Sequence, residues 1–315
     1  MIDLFPGLRS LRAFDSAAEH LSFTQAADDL HVTPAAISHQ IKELESQLGV
    51  SLFTRTSRSM RLTREGEILK AAAHESLEIL SRALMRVKRF ENRKQIRVSA
   101  SPSLAAKWLV PRLDRFLSQQ PGADVRVDVS HSVVDFDRED IDIAIRFGEG
   151  RYPGLRAEIL FQDKVFPVCS PKIITKDKPL RNPRDLLRHT LIHLDWEAQG
   201  SPWPNWKMWM KASGIDEFDD RTGLHFGQTA FAVQAAIDGM GVALGDSNLV
   251  ADDLASGRLV KPFELSLRAP KQFAYYVITR AETADAPMVN AFRDWCLAEA
   301  RLTESKDPYS GANAG

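Results

Sequence analysis

The chain has 315 residues, 44% of them hydrophobic and 26% charged, with a formal net charge of −1. This is an ordinary globular balance, long enough for two or three domains, and it excludes a polycation. Two cysteines, Cys169 and Cys296, make no disulfide framework, and no apolar run approaches the roughly 20 residues that span a bilayer. With no basic stretch leading into an apolar core at the N-terminus, a cytoplasmic protein with no membrane partner is expected.

"LRSLRAFDSAAEH" sets Leu8, Leu11 and Phe14 on one helical face. "SFTQAADDL" follows, a short helix that Thr24 can cap, with Ala26, Ala27 and Leu30 inward. "VTPAAISHQIKELESQLGV" then reads as an amphipathic helix. Thr33 can cap it, Pro34 suits its first position, Gly49 closes it, and Ile37, Ile41, Leu44 and Leu48 form its buried stripe. Its other side carries Ala35, Ser38, His39 and Lys42, which is small, polar and cationic. Two short helices joined by about three turn residues make a helix-turn-helix.

Residues 1–92 hold 12 Lys and Arg against 12 Asp and Glu, so this part is not basic overall. Between Ser51 and Arg64, however, four arginines occur with no carboxylate. There "VSLFTRTSRSMRLT" shifts to β-type residues flanking a Thr/Ser/Arg tip, as a hairpin would. Arg55, Arg58 and Arg61 around that tip are placed to reach phosphates or a narrow minor groove. A polar stripe occurs on any surface helix. The succession of helix, turn, capped helix and arginine wing is what points to DNA, with Ser38, His39 and Lys42 toward the bases.

From Thr63 a long helix follows, with Leu69, Ala73, Leu77, Leu80, Leu84 and Val87 spaced by four or three residues. Such a seam either lies on its own core or pairs with a second copy as a coiled coil. At 1.5 Å per residue it would span roughly 40 Å.

These residues carry a family resemblance. Phe23, Thr24, Ala26 and Ala27, then Ala36, Ser38, Gln40, Ile41, Leu44 and Glu45, then Leu52, Phe53, Arg55, Leu62, Thr63 and Gly66 fit one motif at its internal spacing. That motif resembles the N-terminal domain of LysR-type transcriptional regulators, in the branch of glycine-cleavage and β-lactamase regulators. Many members have Gln-Pro where this chain has Pro34-Ala35, which moves base readout toward Ser38, His39 and the wing arginines. The resemblance implies a linker helix that joins two heads, an interrupted-palindrome DNA site, and a homodimer or tetramer. RNA polymerase is a further candidate partner.

Beyond residue 92, "RKQIRVSA", "DVRVDVSHS", "DIDIAIRFG", "KVFPVCSPK", "LIHLDW" and "FAYYVITR" read as strands alternating with helices, an α/β pattern. The expected fold is therefore an all-α winged helix-turn-helix (1–62) and linker helix (63–92), followed by an α/β domain (93–302). By resemblance this last domain is a two-lobed effector-binding unit similar to periplasmic binding proteins. One lobe takes about 93–166 and 268–302, the other about 167–267, and 303–315 is expected to be a disordered tail.

Ligands in such sheets sit beyond the carboxyl ends of strands, against helix N-termini. That selects Ser101, Ser103, Arg146, Phe147, Gly148, Gln228, Thr229 and Asp246. Ser101 and Thr229 are equally suited to capping helices, and Arg146 to pairing with a carboxylate. With Arg146 and the helix dipoles, the expected effector is a small anionic metabolite. His193 and Asp195 in "LIHLDW" are too few for a structural zinc site. Trp203, Trp206 and Trp209, three apart, read as packing. No phosphate loop or nucleophile elbow is present, so no cofactor, no metal and no enzyme activity are expected. A small-molecule binding protein or enzyme with an incidental helical head is the alternative. It lacks an export signal and an acid–base–nucleophile set.

Overall fold

The computed structural model describes residues 6–55, 60–89, 94–132, 134–195, 203–218, 222–268 and 273–305. The chain forms two units, Met1–Glu91 and Asn92–Gly315.

In the first unit, α1 (Leu8–His20), α2 (Phe23–Asp29) and α3 (Pro34–Leu48) precede a hairpin of β1 (Phe53–Arg55) and β2 (Met60–Leu62), then α4 (Arg64–Arg89). The Thr33 hydroxyl accepts the Ala36 N–H at 3.2 Å, and Pro34 opens α3 where no intrahelical donor is needed. Gly49, at φ 70°, ends α3 in the left-handed conformation that glycine adopts without strain. At α2 the cap is Ser22, whose hydroxyl accepts from Gln25 N at 3.3 Å. Thr24 is therefore inside the first turn and does not cap it. Ala26 and Ala27 are fully buried and let α2 lie close on its neighbours. Phe14, Ile37, Ile41, Leu44, Leu52 and Phe53 complete the core with Ala73 of α4.

The second unit has two five-stranded sheets. The first is ordered β4–β3–β5–β12–β6, from β3 (Gln95–Ala100), β4 (Asp124–Val129), β5 (Ile143–Gly148), β6 (Leu155–Phe161) and β12 (Ala274–Arg280). The second is ordered β11–β7–β10–β8–β9, from β7 (Lys164–Cys169), β8 (Leu191–Leu194), β9 (Leu224–Phe226), β10 (Val242–Asp246) and β11 (Leu267–Arg268). β3 is parallel to β4 and β5, and β10 is parallel to β8, while β12 runs antiparallel to β5 and β6. Each sheet thus mixes a parallel centre with antiparallel returns.

Helices cover both sheets. A short α5 (Pro102–Leu104) runs through a π turn (Ala105–Leu109) and a 3₁₀ turn (Val110–Arg112) into α6 (Leu113–Gln119). Pro102 opens this run at its first position, where a missing N–H costs no hydrogen bond. α10 (Pro287–Ser305) packs Phe292, Trp295 and Cys296 against Phe116, Trp108 and Ile96. α7 (Trp206–Ala212), α8 (Thr229–Ile237) and α9 (Ala251–Ala255) belong to the second lobe.

Two expected boundaries shift. Residues 164–166 and Arg268 belong to strands of the second sheet, because β7 begins directly after Asp163 and β11 pairs with it. Helix α10 also continues past 302. Thr303 is buried, with its hydroxyl on Glu299 O at 2.9 Å, so of the expected tail only 306–315 lie outside the described residues. Cys169 and Cys296 are free and buried, and burial raises the Cys169 thiol to about 12. Among the described residues no helix is long and apolar enough to cross a membrane.

Candidate nucleic-acid interface and interlobe site

On the first unit, α3 turns Ile37, Ile41 and Leu44 into the core, so the opposite stripe must face outward. Thr33, Pro34, Ala35, His39 and Lys42 are exposed and Ser38 is half-buried. Thr24 is exposed on α2. The wing strands pair Phe53 with Leu62, Thr54 with Arg61 and Arg55 with Met60. Arg61 is exposed on β2. Arg58, at the tip, lies outside the described residues, as does the side chain of Arg55.

Three supports behind this surface belong to the motif, although their roles were not legible from it. Glu45 on α3 accepts the N–H of Leu52 at 2.7 Å and of Phe53 at 3.3 Å, fixing where the wing begins. Gly66 lies against the wing's base, where an added Cβ would fall 2.2 Å from the Leu52 carbonyl oxygen. The Ser10 hydroxyl donates to Gln40 Oε1 at 2.9 Å, tying α1 to α3. The rings of Phe14 and Phe23 each sit 5.6 Å from Phe53. Wing and helix are therefore held in one fixed relation.

The α4 seam divides in two. Leu69 and Ala73 pack into the head core, Leu77 is half-buried, and Leu80, Leu84 and Val87 are 39%, 54% and 63% exposed. Among the described residues of this unit, nothing covers the second half of the stripe.

In the second unit the structure gathers most of the proposed effector residues and separates two, Arg146 and Gly148. Ser101 follows β3, but its hydroxyl makes no capping bond and is instead hydrogen-bonded to Tyr275. Ser103 reaches across to the other lobe, accepting the Ala230 N–H at 3.0 Å in the first turn of α8. Gln228 is half-buried at the N-cap of α8 without a side-chain cap bond. Thr229 is half-buried and its hydroxyl donates to Asp246, at the end of β10. Phe147 sits in an aromatic group, with centroids 4.7 Å from Trp203, 5.6 Å from Phe273 and 5.3 Å from Tyr275. Gly148 is buried, and a Cβ there would meet the Tyr152 hydroxyl at 2.9 Å, on the opposite strand face from Phe147.

Arg146 does not join this group. Strand alternation turns it to the opposite face from Phe147. There its guanidinium donates to Ser99 Oγ at 2.6 Å, Ile145 O at 3.0 Å and Ser132 O at 3.1 Å. The cation expected to hold an anionic effector is engaged inside the first lobe.

Residues not singled out as ligand contacts take its place. Trp203, which precedes α7 rather than riding on it, donates its indole N–H to Asp246. Asp163 lies close enough to Asp246 to act on its charge, and both acids act on Tyr275. Burial, then the neighbouring Asp163, raises the Asp246 carboxyl to about 8, against the weaker pull of the Thr229 and Trp203 hydrogen bonds. Burial also holds the Tyr275 phenol well above its ordinary value. Asp163, in the crossing from β6 to β7, accepts Asn248 N at 2.9 Å and Ser247 Oγ at 3.1 Å.

Ion pairs bind the lobes further away. Lys107 meets Asp253 at 3.3 Å, and Arg112 reaches Asp252 through two bonds of 2.8 and 3.0 Å. Elsewhere His193 and His225 stack with centroids 4.5 Å apart, and His225 Nδ1 lies 3.0 Å from Asp195. Among the described residues no three metal-type ligands come together.

The comparisons with known proteins agree with this geometry. Residues 8–67 match the model of the bacterial regulatory helix-turn-helix protein, lysR family, and residues 91–301 match the LysR substrate binding domain. The glycine cleavage system transcriptional activator of Escherichia coli (strain K12) is 40% identical over 301 residues, covering 96% of each chain. The transcriptional activator AmpR of Pseudomonas aeruginosa is 36% identical, covering 92% of this chain and 94% of that one. The solved effector domain of the Pseudomonas aeruginosa regulator AmpR superposes with a TM-score of 0.52 at 28% identity, over 66% of this chain and 96% of the other. With both family models and these relatives spanning nearly its whole length, the chain belongs to the LysR family of helix-turn-helix transcriptional regulators, not to a family of enzymes.

Proposed function

We propose that this regulator reads an interrupted palindromic DNA site with two heads joined through α4, under the control of a small molecule held between the lobes of its second unit. The observation that carries the DNA reading is the exposed α3 stripe of Ala35, Ser38, His39 and Lys42, held in register with the wing by Glu45. Small side chains at its N-terminal end permit close approach to base edges, and Ser38 and His39 supply hydrogen-bonding groups. The bare row Leu80, Leu84 and Val87 supports pairing of two α4 helices, which would set two recognition helices about one DNA turn apart. A dimer of such dimers, contact with RNA polymerase and a cytoplasmic location fit the same reading.

The effector half rests on Ser101, Phe147, Thr229, Asp246 and Tyr275, drawn from both lobes to one place. An occupant there touches both sheets, so its binding energy can shift their arrangement and the DNA affinity linked to it. Selection of genomic fragments by the purified full chain tests the proposal. The expected result is enrichment of one palindromic sequence family, lost in the Ser38→Ala/His39→Ala variant. Retention no more selective than random competitor would overturn it.

A further inference from the structure

The β6–β7 crossing between the lobes is only Gln162 and Asp163 long. Short joints of this kind are where domains turn on one another. Beside it a second stretch of the second lobe holds the first. Asn248 donates its backbone N–H to Asp163 at 2.9 Å and its side-chain amide to the same carboxylate at 3.0 Å. Leu249, 1% exposed, belongs to the first lobe's core together with Trp108 and Leu109. These contacts form a pivot.

The next ties are polar and of another kind. The run from α5 to α6 presents Ser103, Lys107 and Arg112 to Ala230 N, Asp253 and Asp252 of the second lobe in turn. Lys107 lies in the π turn, a form frequent at functional sites. The buried charges among them also have partners on their own lobes. Arg112 has Trp108 O at 2.9 Å, Thr303 Oγ1 at 3.4 Å and Glu299 at 3.9 Å. Asp253 has Arg258 at 2.6 Å. The remaining two, Asp252 and Lys107, have side chains 49% and 14% exposed, so water reaches both. Parting a buried ion pair is prohibitive where it strands a charge. Here the pairs can part without stranding one.

We propose that these ion pairs are a releasable latch, which holds the lobes in the arrangement of this structure and opens when they turn about Leu249 and Asp163. The inference rests on the cleft being the effector site and supplies the step between occupancy and response. Ser101 precedes α5 and Thr229 opens α8, and Ser103 joins these two helices directly. An occupant touching Ser101 and Thr229 therefore works on the latch itself.

The test uses the full chain with spin labels at Asp128→Cys in the first lobe and Lys207→Cys in the second, both exposed positions. Cys169 and Cys296 are fully buried and take no label. Dilution with unlabelled chain confines the dipolar distances to one molecule. The parent is expected to give one narrow distance. Lys107→Met/Asp252→Asn is expected to displace its mean by more than the parent's width, with unfolding still cooperative. Affinity for the selected DNA fragments should then change about fivefold or more. Should the double variant fail to fold, Asp252→Asn alone, at a half-exposed position, carries the same readings. A folded latch variant that keeps the parent distance overturns the latch and leaves the cleft and the DNA reading standing. A displaced distance with unchanged DNA affinity overturns the latch as a control, and the proposed link from lobes to heads falls with it.

Discussion

The two units solve recognition in opposite ways. In the head, the side chains proposed to meet DNA are exposed or half-buried and lie within one short stretch of sequence, with their rigidity supplied from behind by Glu45, Gly66 and a small core. In the second unit, the residues proposed to meet the effector run from Ser101 to Tyr275, come from both sheets, and are largely buried among one another. A surface that meets a large partner needs presentation, whereas a site that encloses a small one needs convergence. Substitutions at the head's face should therefore alter binding and spare folding. Substitutions in the second unit's interior should disturb both.

The largest effect is expected where the second unit's lobes are tied. Arg112 is 3% exposed, bonded to Asp252 and to Trp108 O at 2.9 Å, and near the buried Glu299. Arg112→Ala takes the buried donor from Trp108 O and the bidentate partner from the half-exposed Asp252, while Glu299 keeps Arg115 at 2.8 Å, which costs about 3 kcal/mol. Denaturant unfolding of the second unit should register that loss, and an unchanged midpoint would break the contrast between the units. Next comes Gly66→Ala, where the new methyl collides with Leu52 O and Leu62. Overpacking of this kind costs about 1–3 kcal/mol, visible as a lowered melting temperature of the head with loss of DNA binding. Glu45→Ala strips the acceptor from two backbone donors at roughly 1–3 kcal/mol and frees the wing from α3. Its DNA affinity should fall on every sequence alike.

A pH comparison sharpens the interior side. The folded Asp246 carboxyl titrates near 8 rather than at its ordinary 3.8, so the folded state holds a proton that the unfolded chain releases. Stability from this group is present below the unfolded value and is lost as pH rises through the folded one. Asp246→Asn, which cannot ionise, should raise the melting temperature relative to wild type by more at pH 9 than at pH 5. Calorimetry at the two values reads the difference directly.

How much of this was legible from the sequence follows the same division. The head could be read closely because its signals are local. Helical period, the Thr33 cap, Pro34 and Gly49 each act within a few residues, and the apolar spacing fixes which stripe is left outside. Only the Ser22 cap was misassigned, because Ser22 and Thr24 are both capping residues two positions apart and nothing local separates them. In the second unit, strand ends picked out Ser101, Thr229 and Asp246, since an open sheet puts its cleft there. Trp203, Tyr275 and Asp163 escaped that rule. Trp203 precedes a helix, Tyr275 lies inside an antiparallel return strand, and Asp163 sits in a crossing, so only the closed fold brings them to Asp246. Arg146 shows the opposite failure. It stands at a strand end, yet alternation turns it away from the cleft beside its neighbour Phe147.

The smallest effect belongs to the exposed face itself. Arg61, solvent-facing on β2 and paired across the wing with Thr54, takes no part in the head core. Its truncation should leave folding within about 0.5 kcal/mol of wild type, as for most surface changes. If its guanidinium meets a phosphate, Arg61→Ala weakens specific and random DNA by the same factor and lowers the salt dependence of log affinity by about one unit. Ser38→Ala/His39→Ala should instead keep the salt slope and lower the preference for the selected site, by about 1–3 kcal/mol for each base the helix no longer reads. The two variants thus separate charge from base reading on one surface. An Arg61→Ala protein whose discrimination fell while its salt slope held would move Arg61 from the phosphates to the base edges, and the wing would share the reading of sequence with α3.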